Sequence, residues 1–340
     1  MIDLGQFSHQ ITKIFLLSLF SFFLAVLLTP IYTRFAYRHN LWKQKRTNAA
    51  TGEALSVIAK QSTRKRSVPT MAGLIIVIAT TVTTFMFNLD RQQTWLPLAA
   101  LLGGGFVGFI DDLINVRSHG EGTAGLRSPI KFAMITIVAT VAAFFFYYKL
   151  GYTSVHLPYF GDLTLGWMLI PLFILAVVST GNAVNITDGL DGLAGGLLLS
   201  AYGSFGAIAA FQGNYGIAAF CMTVAGTLFA YVWFNIPPAR FFMGDVGSFA
   251  LGTSLGVVAM LTDTLFLLPI IGFIFVVEAG SSALQILSKK IFHRKIFIAA
   301  PLHHHLQALE WEKTKVTMRF WVIGQLCAVL GIVLALIGNY

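Results

Sequence analysis

Long apolar runs separated by short polar breaks dominate the chain. Ten of them approach or reach the roughly 17 to 25 residues that carry a helix across hydrocarbon: 13–34, 71–89, 95–111, 129–149, 167–186, 190–211, 216–235, 246–262, 264–287 and 319–338. The pattern predicts an all-α polytopic membrane protein forming a single integral domain over residues 1–340. On one side the breaks are tight turns, as at 212–215 and 262–264. On the other they are longer and richer in Gly, Pro and charge. The first run lacks a small-residue cleavage pattern and is followed by charge, which predicts a retained span rather than a signal peptide. No internal repeat is visible, so the inverted duplication of a secondary transporter is not expected.

The polar breaks orient the runs. With the N-terminus outside, residues 35–70, 111–128, 187–189, 236–245 and 288–318 face the cytoplasm. These loops and the adjoining helix ends hold all of the 23 Lys and Arg residues except Lys13, Arg91 and Lys149. The positive-inside rule therefore predicts this orientation, and an even number of spans returns the C-terminus outside as well. Composition agrees: 56% of residues are hydrophobic and 11% charged, against about 25% charged in soluble proteins. Cys221 and Cys327 lie inside spans and suggest no disulfide framework. The net charge of +9 is read as membrane topology and anionic-lipid contact, and no nucleic-acid partner is expected.

The acids are sorted too. Asp3, Asp90, Asp162 and Asp263 scatter on the outer side, whereas Asp111, Asp112, Asp188, Asp191 and Asp245 all lie at cytoplasmic ends of apolar segments. Carboxylates beside a membrane span are costly and usually functional. Asp111 and Asp112 end a Gly-rich run; two adjacent acids at a helix C-terminus oppose the macrodipole and repel each other unless a cation intervenes. In Asn185-Ile-Thr-Asp188-Gly-Leu-Asp191-Gly192 a continuing helix would stack the two acids on one face, one turn beyond Asn185; the bland alternative is an N-cap. Asp245, flanked by Gly244 and Gly247, has the same alternative, and Phe242 beside it could stack a nucleobase or simply pack. His303, His304 and His305 follow Ala300-Pro301. With no cysteine near them and hard oxygen donors around, they favour magnesium with phosphate over zinc. Lys65, Arg66 and Lys131 are candidate phosphate contacts. Glu278, within a span, is either functional or internally paired.

The phrases GFIDD, NAVNITDGLDGLAGG, NIPPARFFMGDVGS and APLHHH, in this order and spacing, resemble the polyprenyl-phosphate N-acetylhexosamine-1-phosphate transferases. The histidine triplet, with Trp311 and Arg319-Phe320-Trp321, resembles the phospho-N-acetylmuramoyl-pentapeptide transferase branch. That resemblance implies ten spans, a homodimer and magnesium in a cytoplasmic-facing cleft of the bacterial plasma membrane. It implies transfer of phospho-MurNAc-pentapeptide from UDP-MurNAc-pentapeptide to undecaprenyl phosphate, giving lipid I and UMP. Carried over by motif, Asp245 is a magnesium ligand and Asp111 and Asp112 the catalytic acidic pair. Asn185 and Asp188 lie at the pyrophosphate and metal. Leu190, Asp191, Asn235 and Phe242 hold the uridine. His303, His304 and His305 meet the diphosphate, and Gln285 the sugar or peptide side. Thr70, in Val68-Pro-Thr-Met-Ala-Gly73, joins the substrate-binding set with Lys65 and Lys131. The chain departs from the family pattern at Asn115 (usually Lys), Val68 (usually Thr) and Gln307 (usually an acid). Alternatives are a UDP-N-acetylglucosamine transferase of another cell-surface glycan and, more remotely, a cation-coupled transporter.

Overall fold

The computed structural model describes residues 4–42, 68–90, 93–117, 125–157 and 160–338. Lys65 and Arg66 lie outside them. The chain runs α1 (Leu4–Arg38), α2 (Gly73–Phe87), α3 (Trp95–Arg117) and α4 (Ser128–Phe144, continued by a π turn Phe145–Lys149). After β1 (Ser154–Leu157) and β2 (Gly161–Thr164) come α5 (Leu169–Thr187), α6 (Leu193–Phe211), α7 (Tyr215–Asn235) and α8 (Gly244–Leu261). Last are α9 (Leu268–Ile271), α10 (Phe273–Phe292), α11 (Leu302–Ala308) and α12 (Lys313–Ile337).

Among the described residues, eight helices are long and apolar enough to cross a membrane; a ninth is counted only if α9 and α10, which meet at an 82° bend, form one broken span. Two of the ten expected spans are thus altered. The 264–287 run breaks at Gly272, which caps α9 and opens α10. The 71–89 run yields a helix of only 15 residues. Its start is used laterally: Phe242 N–H donates to the Pro69 carbonyl (2.8 Å), Ala72 N–H to Phe242 (3.0 Å) and Gly73 N–H to Met243 (2.8 Å). Backbone donors committed sideways cannot extend the helix backward. α3, by contrast, runs six residues past its expected end, so Asp111 and Asp112 sit inside a helix. Between α5 and α6 the helix does not continue: Asp188 is the C-cap and Gly192 has a left-handed φ of 77°. Asp188 and Asp191 are therefore not stacked on one helical face. The loop after α4 folds into an antiparallel hairpin, Ser154 opposite Thr164 and Leu157 opposite Gly161, an element the apolar pattern does not predict.

α8 is the axis of the bundle. All of its residues are buried, and it packs chiefly against α3 and α5. The approach to α3 is backbone to backbone: a Cβ at Gly108 would collide with the Asp245 carbonyl, and one at Gly104 with Thr253 and Phe249. Small residues at such seams let membrane helices meet closely. The hydroxyls along α8 find carbonyl partners, Thr253 Oγ1 to Ala100 at 2.9 Å and Ser254 Oγ to Pro97 at 2.9 Å. This leaves no polar cost along an apolar helix, and it fixes the register of α3 against α8 from the part of the seam away from Asp111 and Asp245.

α10 inverts the usual amphipathic arrangement. Val276, Leu284, Ile286, Leu287, Ile291 and Phe292 are exposed, while Glu278, Ser281, Gln285 and Ser288 are buried. Their 3–4 residue spacing makes a polar stripe facing inward. Segment 294–303 returns along that stripe, antiparallel, one rung at a time. Ser288 Oγ donates to the Arg294 carbonyl (2.9 Å). Gln285 accepts from Ile296 and Phe297 N–H (3.1 and 3.0 Å) and donates to the Phe297 carbonyl (2.9 Å). Ser281 Oγ accepts from Leu302 N–H (3.0 Å), and Glu278 accepts from His303 N–H (3.0 Å).

Candidate active site

The close α3–α8 seam brings two carboxylates to one cation. Lys131 Nζ, from the first turn of α4, donates to Asp111 Oδ2 at 2.8 Å and to Asp245 Oδ2 at 2.7 Å. Asp111 Oδ1 also accepts the Leu126 N–H at 2.6 Å. The ammonium stands 5.5 Å from the Phe249 ring centroid. Lys131 and Asp245 line a cavity of about 420 Å³ whose walls also include Asn115, Ser128, Asn182, Asn185 and Asp188. Asn185 is set by its Nδ2 donating to Ser248 Oγ at 2.9 Å, which ties α5 to the first turn of α8.

The five acids divide. Asp111, Asp245 and Asp188 belong to the cavity, Asp111 through Lys131. Asp112, the next residue around α3, points elsewhere: its Oδ2 accepts the Val246 N–H at 3.1 Å. It satisfies one of the orphan donors at the start of α8 and complements that helix's positive end. Gly244, with φ 77°, leaves the space Asp112 fills; a Cβ there would collide with its carboxylate. Asp191 is likewise engaged in connecting loops, its Oδ2 accepting the Ala239 N–H at 3.2 Å and its carbonyl the Thr317 hydroxyl at 3.3 Å.

Asn235, Leu190, Thr70 and Phe242 form a belt of loop and helix-end residues outside the cavity lining. Buried Asn235 joins two loops, accepting from Gly192 N–H (2.8 Å) and donating to the Phe241 carbonyl (2.8 Å). Leu190 and Thr70 are buried, and Phe242 is 39% exposed, leaving ring surface free for stacking. Tyr32 OH donates to the Thr70 carbonyl, tying α1 to this belt. Gln285 spends its amide on the return segment, away from the cavity. The histidines diverge. His303 Nδ1 lies 2.5 Å from Glu278 Oε2, and its ring packs against Gly189, next to Asp188. His304 Nδ1 meets Gln307 Oε1 at 2.8 Å, and His305 Nδ1 accepts the Ile298 N–H at 3.2 Å. Glu278 is thus internally paired. Asn182, Ser128 and Ser248 were not singled out by sequence. Asn182 could have been, standing one turn before Asn185 on the same helix face.

Burial, with His303 beside it, pushes His304 down to about 4. Its unfolded value is about 6.5, so the unfolded chain binds the extra proton first. The stability this group contributes is full above pH 6.5, declines as pH falls toward 4 and levels off below that. Thermal midpoints measured from pH 8 to pH 4 are expected to fall less steeply in His304→Gln than in the parent over this window. Identical slopes would show that His304 is not held neutral.

Residues 94–263 match the model of glycosyl transferase family 4. Over 343 aligned positions the chain is 38% identical to the phospho-N-acetylmuramoyl-pentapeptide-transferase of Chloroflexus aurantiacus, covering 97% of this chain and 91% of that protein. It is 37% identical over 318 residues to the protein of the same name from Geobacillus thermodenitrificans, covering 92% of this chain and 94% of the relative. With that of Bacillus pumilus the identity is 38% over 318 residues, with the same coverage.

Proposed function

The chain belongs to glycosyl transferase family 4 and to the phospho-N-acetylmuramoyl-pentapeptide transferases, and on that premise we propose how its cavity works. The enzyme transfers phospho-MurNAc-pentapeptide from UDP-MurNAc-pentapeptide to undecaprenyl phosphate, forming lipid I and releasing UMP. The observation that carries the assignment of the site is the meeting of Asp111 and Asp245, from two helices, on one cation at the wall of a polar cavity shared with Asp188 and Asn185.

The donor set suits magnesium. Among the described residues no three His, Cys, Asp or Glu side chains converge as a protein cage. Magnesium is commonly held by one or two carboxylates plus water and substrate phosphates, and Asp245 and Asp188 supply two hard oxygen ligands on one cavity. When bound, the ion neutralises and orients the donor diphosphate. Lys131 adds a fixed positive charge where two anionic reactants must approach. An oxygen of the lipid phosphate attacks the phosphorus attached to the sugar. A new P–O bond forms, the bridging P–O bond to the uridine-side phosphate breaks, and UMP departs with the bridging oxygen. Phosphate monoesters lose their second proton near pH 6, so the acceptor is already largely ionised and attacks directly. Asp111 orients Lys131 and takes any residual proton. Phe242 stacks the uracil, the Leu190–Asp191 turn and Asn235 frame the uridine, and the histidine loop closes over the diphosphate. Lys65 and Thr70 join the substrate-binding set, and Gln285 shapes the sugar-peptide side through the return segment. The protein acts as a homodimer in the bacterial plasma membrane with this cleft facing the cytoplasm, as the distribution of Lys and Arg supports.

The test is UMP release by purified protein with undecaprenyl phosphate and magnesium. UDP-MurNAc-pentapeptide is expected to be used at least about a hundredfold better than UDP-N-acetylglucosamine, the discrimination available when a site's polar contacts go unmade. Equal or reversed use would move the enzyme to another glycan.

A further inference from the structure

The return segment pinned to α10 builds a second cavity that the transfer reaction does not use. About 570 Å³ in volume, it is lined by Ser288, Phe292, Arg294, Lys295 and Ile296. The residues from Ser288 to Ile298 include Lys289, Lys290, His293, Arg294 and Lys295 and no acid. Large apolar side chains stand exposed among these cations: Ile291, Phe292 at 68%, Ile296 at 58% and Ile298. The turn is held in shape. His293 caps α10 in the left-handed conformation, buried Ser288 grips the Arg294 carbonyl, and buried Gln285 grips residues 296 and 297. Arg294 and Lys295 are therefore displayed from a fixed backbone at the end of a helix whose outer face is apolar.

The geometry points to a binding site for the headgroup of an anionic phospholipid. Its phosphate would meet Arg294 and Lys295, and its acyl chains would lie along Ile291, Phe292 and the apolar face of α10. Charge complementarity selects the occupant: a zwitterionic headgroup brings its own cation into a segment that holds four Lys and Arg residues and no acid, whereas an anionic one brings only negative charge. Apolar residues interleaved with cations are the pattern of a segment lying in the headgroup layer. The inference rests on the proposed placement of this end of the protein at the cytoplasmic leaflet, but not on the substrate assignment. The site would anchor the stripe that carries the histidine loop.

Native mass spectrometry of the full chain in detergent, titrated with dioleoylphosphatidylglycerol or dioleoylphosphatidylcholine, tests it. The parent is expected to retain phosphatidylglycerol with a preference of roughly five- to thirtyfold, the scale set by two basic residues near a headgroup. Arg294→Gln with Lys295→Gln is expected to bring that ratio near one while UMP release in phosphatidylcholine nanodiscs is unchanged. Removing two exposed cations elsewhere on the same side, Arg34→Gln with Arg38→Gln, is expected to leave the preference intact. The inference is overturned if the parent shows no preference, if the Arg294/Lys295 variant keeps it, or if the Arg34/Arg38 variant loses it equally. Displacement of the lipid by inorganic phosphate at equal concentration would also overturn it, since the site would then hold phosphate alone. Loss of UMP release by both double variants with lipid preference unaffected would count against it too, by moving the charge effect to catalysis.

Discussion

Asp245→Asn is expected to slow UMP release about a thousandfold at saturating donor, with the fold intact. Asn keeps the shape of the side chain and one acceptor oxygen, so the seam between α3 and α8 is undisturbed and the thermal midpoint should move little. What disappears is a negative charge at the cavity wall, and with it the ligand that would hold magnesium and one of the two carboxylates that aim Lys131. Removing a single pre-aimed electrostatic group from a water-poor site typically costs 10²–10³ in turnover, and here two such functions are lost together. The loss should be accompanied by a rise in the magnesium concentration needed for half-maximal rate. Asp111→Asn, whose carboxylate reaches the cavity through Lys131, should lose less in apparent magnesium affinity than Asp245→Asn. A variant at Asp245 that keeps turnover within tenfold, at unchanged magnesium dependence, would remove this carboxylate from the chemistry.

Gly108→Ala should be severe for a single-methyl change, at about 3 kcal/mol or more of stability, the upper range for overpacking. The new methyl has nowhere to go: it meets the Asp245 carbonyl and the Val246 nitrogen, backbone atoms of a fully buried helix. α3 and α8 must separate, which stretches the span from Asp111 to Asp245 that Lys131 bridges. Activity should therefore fall with the thermal midpoint, unlike Asp245→Asn. Two nearby comparisons sharpen the expectation. At Gly103 the added methyl meets the Val138 side chain rather than backbone, and at Gly203 nothing lies within 4 Å. Gly103→Ala should cost less than Gly108→Ala, because one side chain rather than a helix backbone must shift, and Gly203→Ala should be neutral or slightly stabilising, since it also restricts the unfolded chain. If all three behave alike, the seam is not the tight contact described.

Much of this was legible before any coordinates. Apolar run lengths located the eight membrane-length helices among the described residues, and the sorting of acids to one side pointed at the cavity. Other features depend on partners remote in sequence. Lys131 is 20 residues from Asp111 and 114 from Asp245, so its shared role emerges only when α4 packs beside the seam. Adjacency alone does not separate Asp111 from Asp112: neighbours on a helix point about 100° apart, so Asp111 meets Lys131 while Asp112 accepts from the Val246 N–H at the start of α8. Spacing misled at Asp188 and Asp191, because stacking at i and i+3 needs a helix that continues, and α5 already ends at its C-cap Asp188. α2 begins late because its first donors pair with residues 242 and 243, a lateral contact no hydropathy window contains. The bend at Gly272 escaped because the apolar outer face of α10 continues the hydrophobic run through it.

The rungs that fasten residues 294–297 to α10 engage main-chain atoms only, through Gln285 and Ser288, whereas His303 is gripped by its ring as well. Exchanging the Arg294 or Ile296 side chain therefore leaves these main-chain rungs in place, while position 303 stays chemically fixed. This part of the enzyme is built as an interchangeable cassette, and altered lipid preference among descendants of such a protein should accumulate there first.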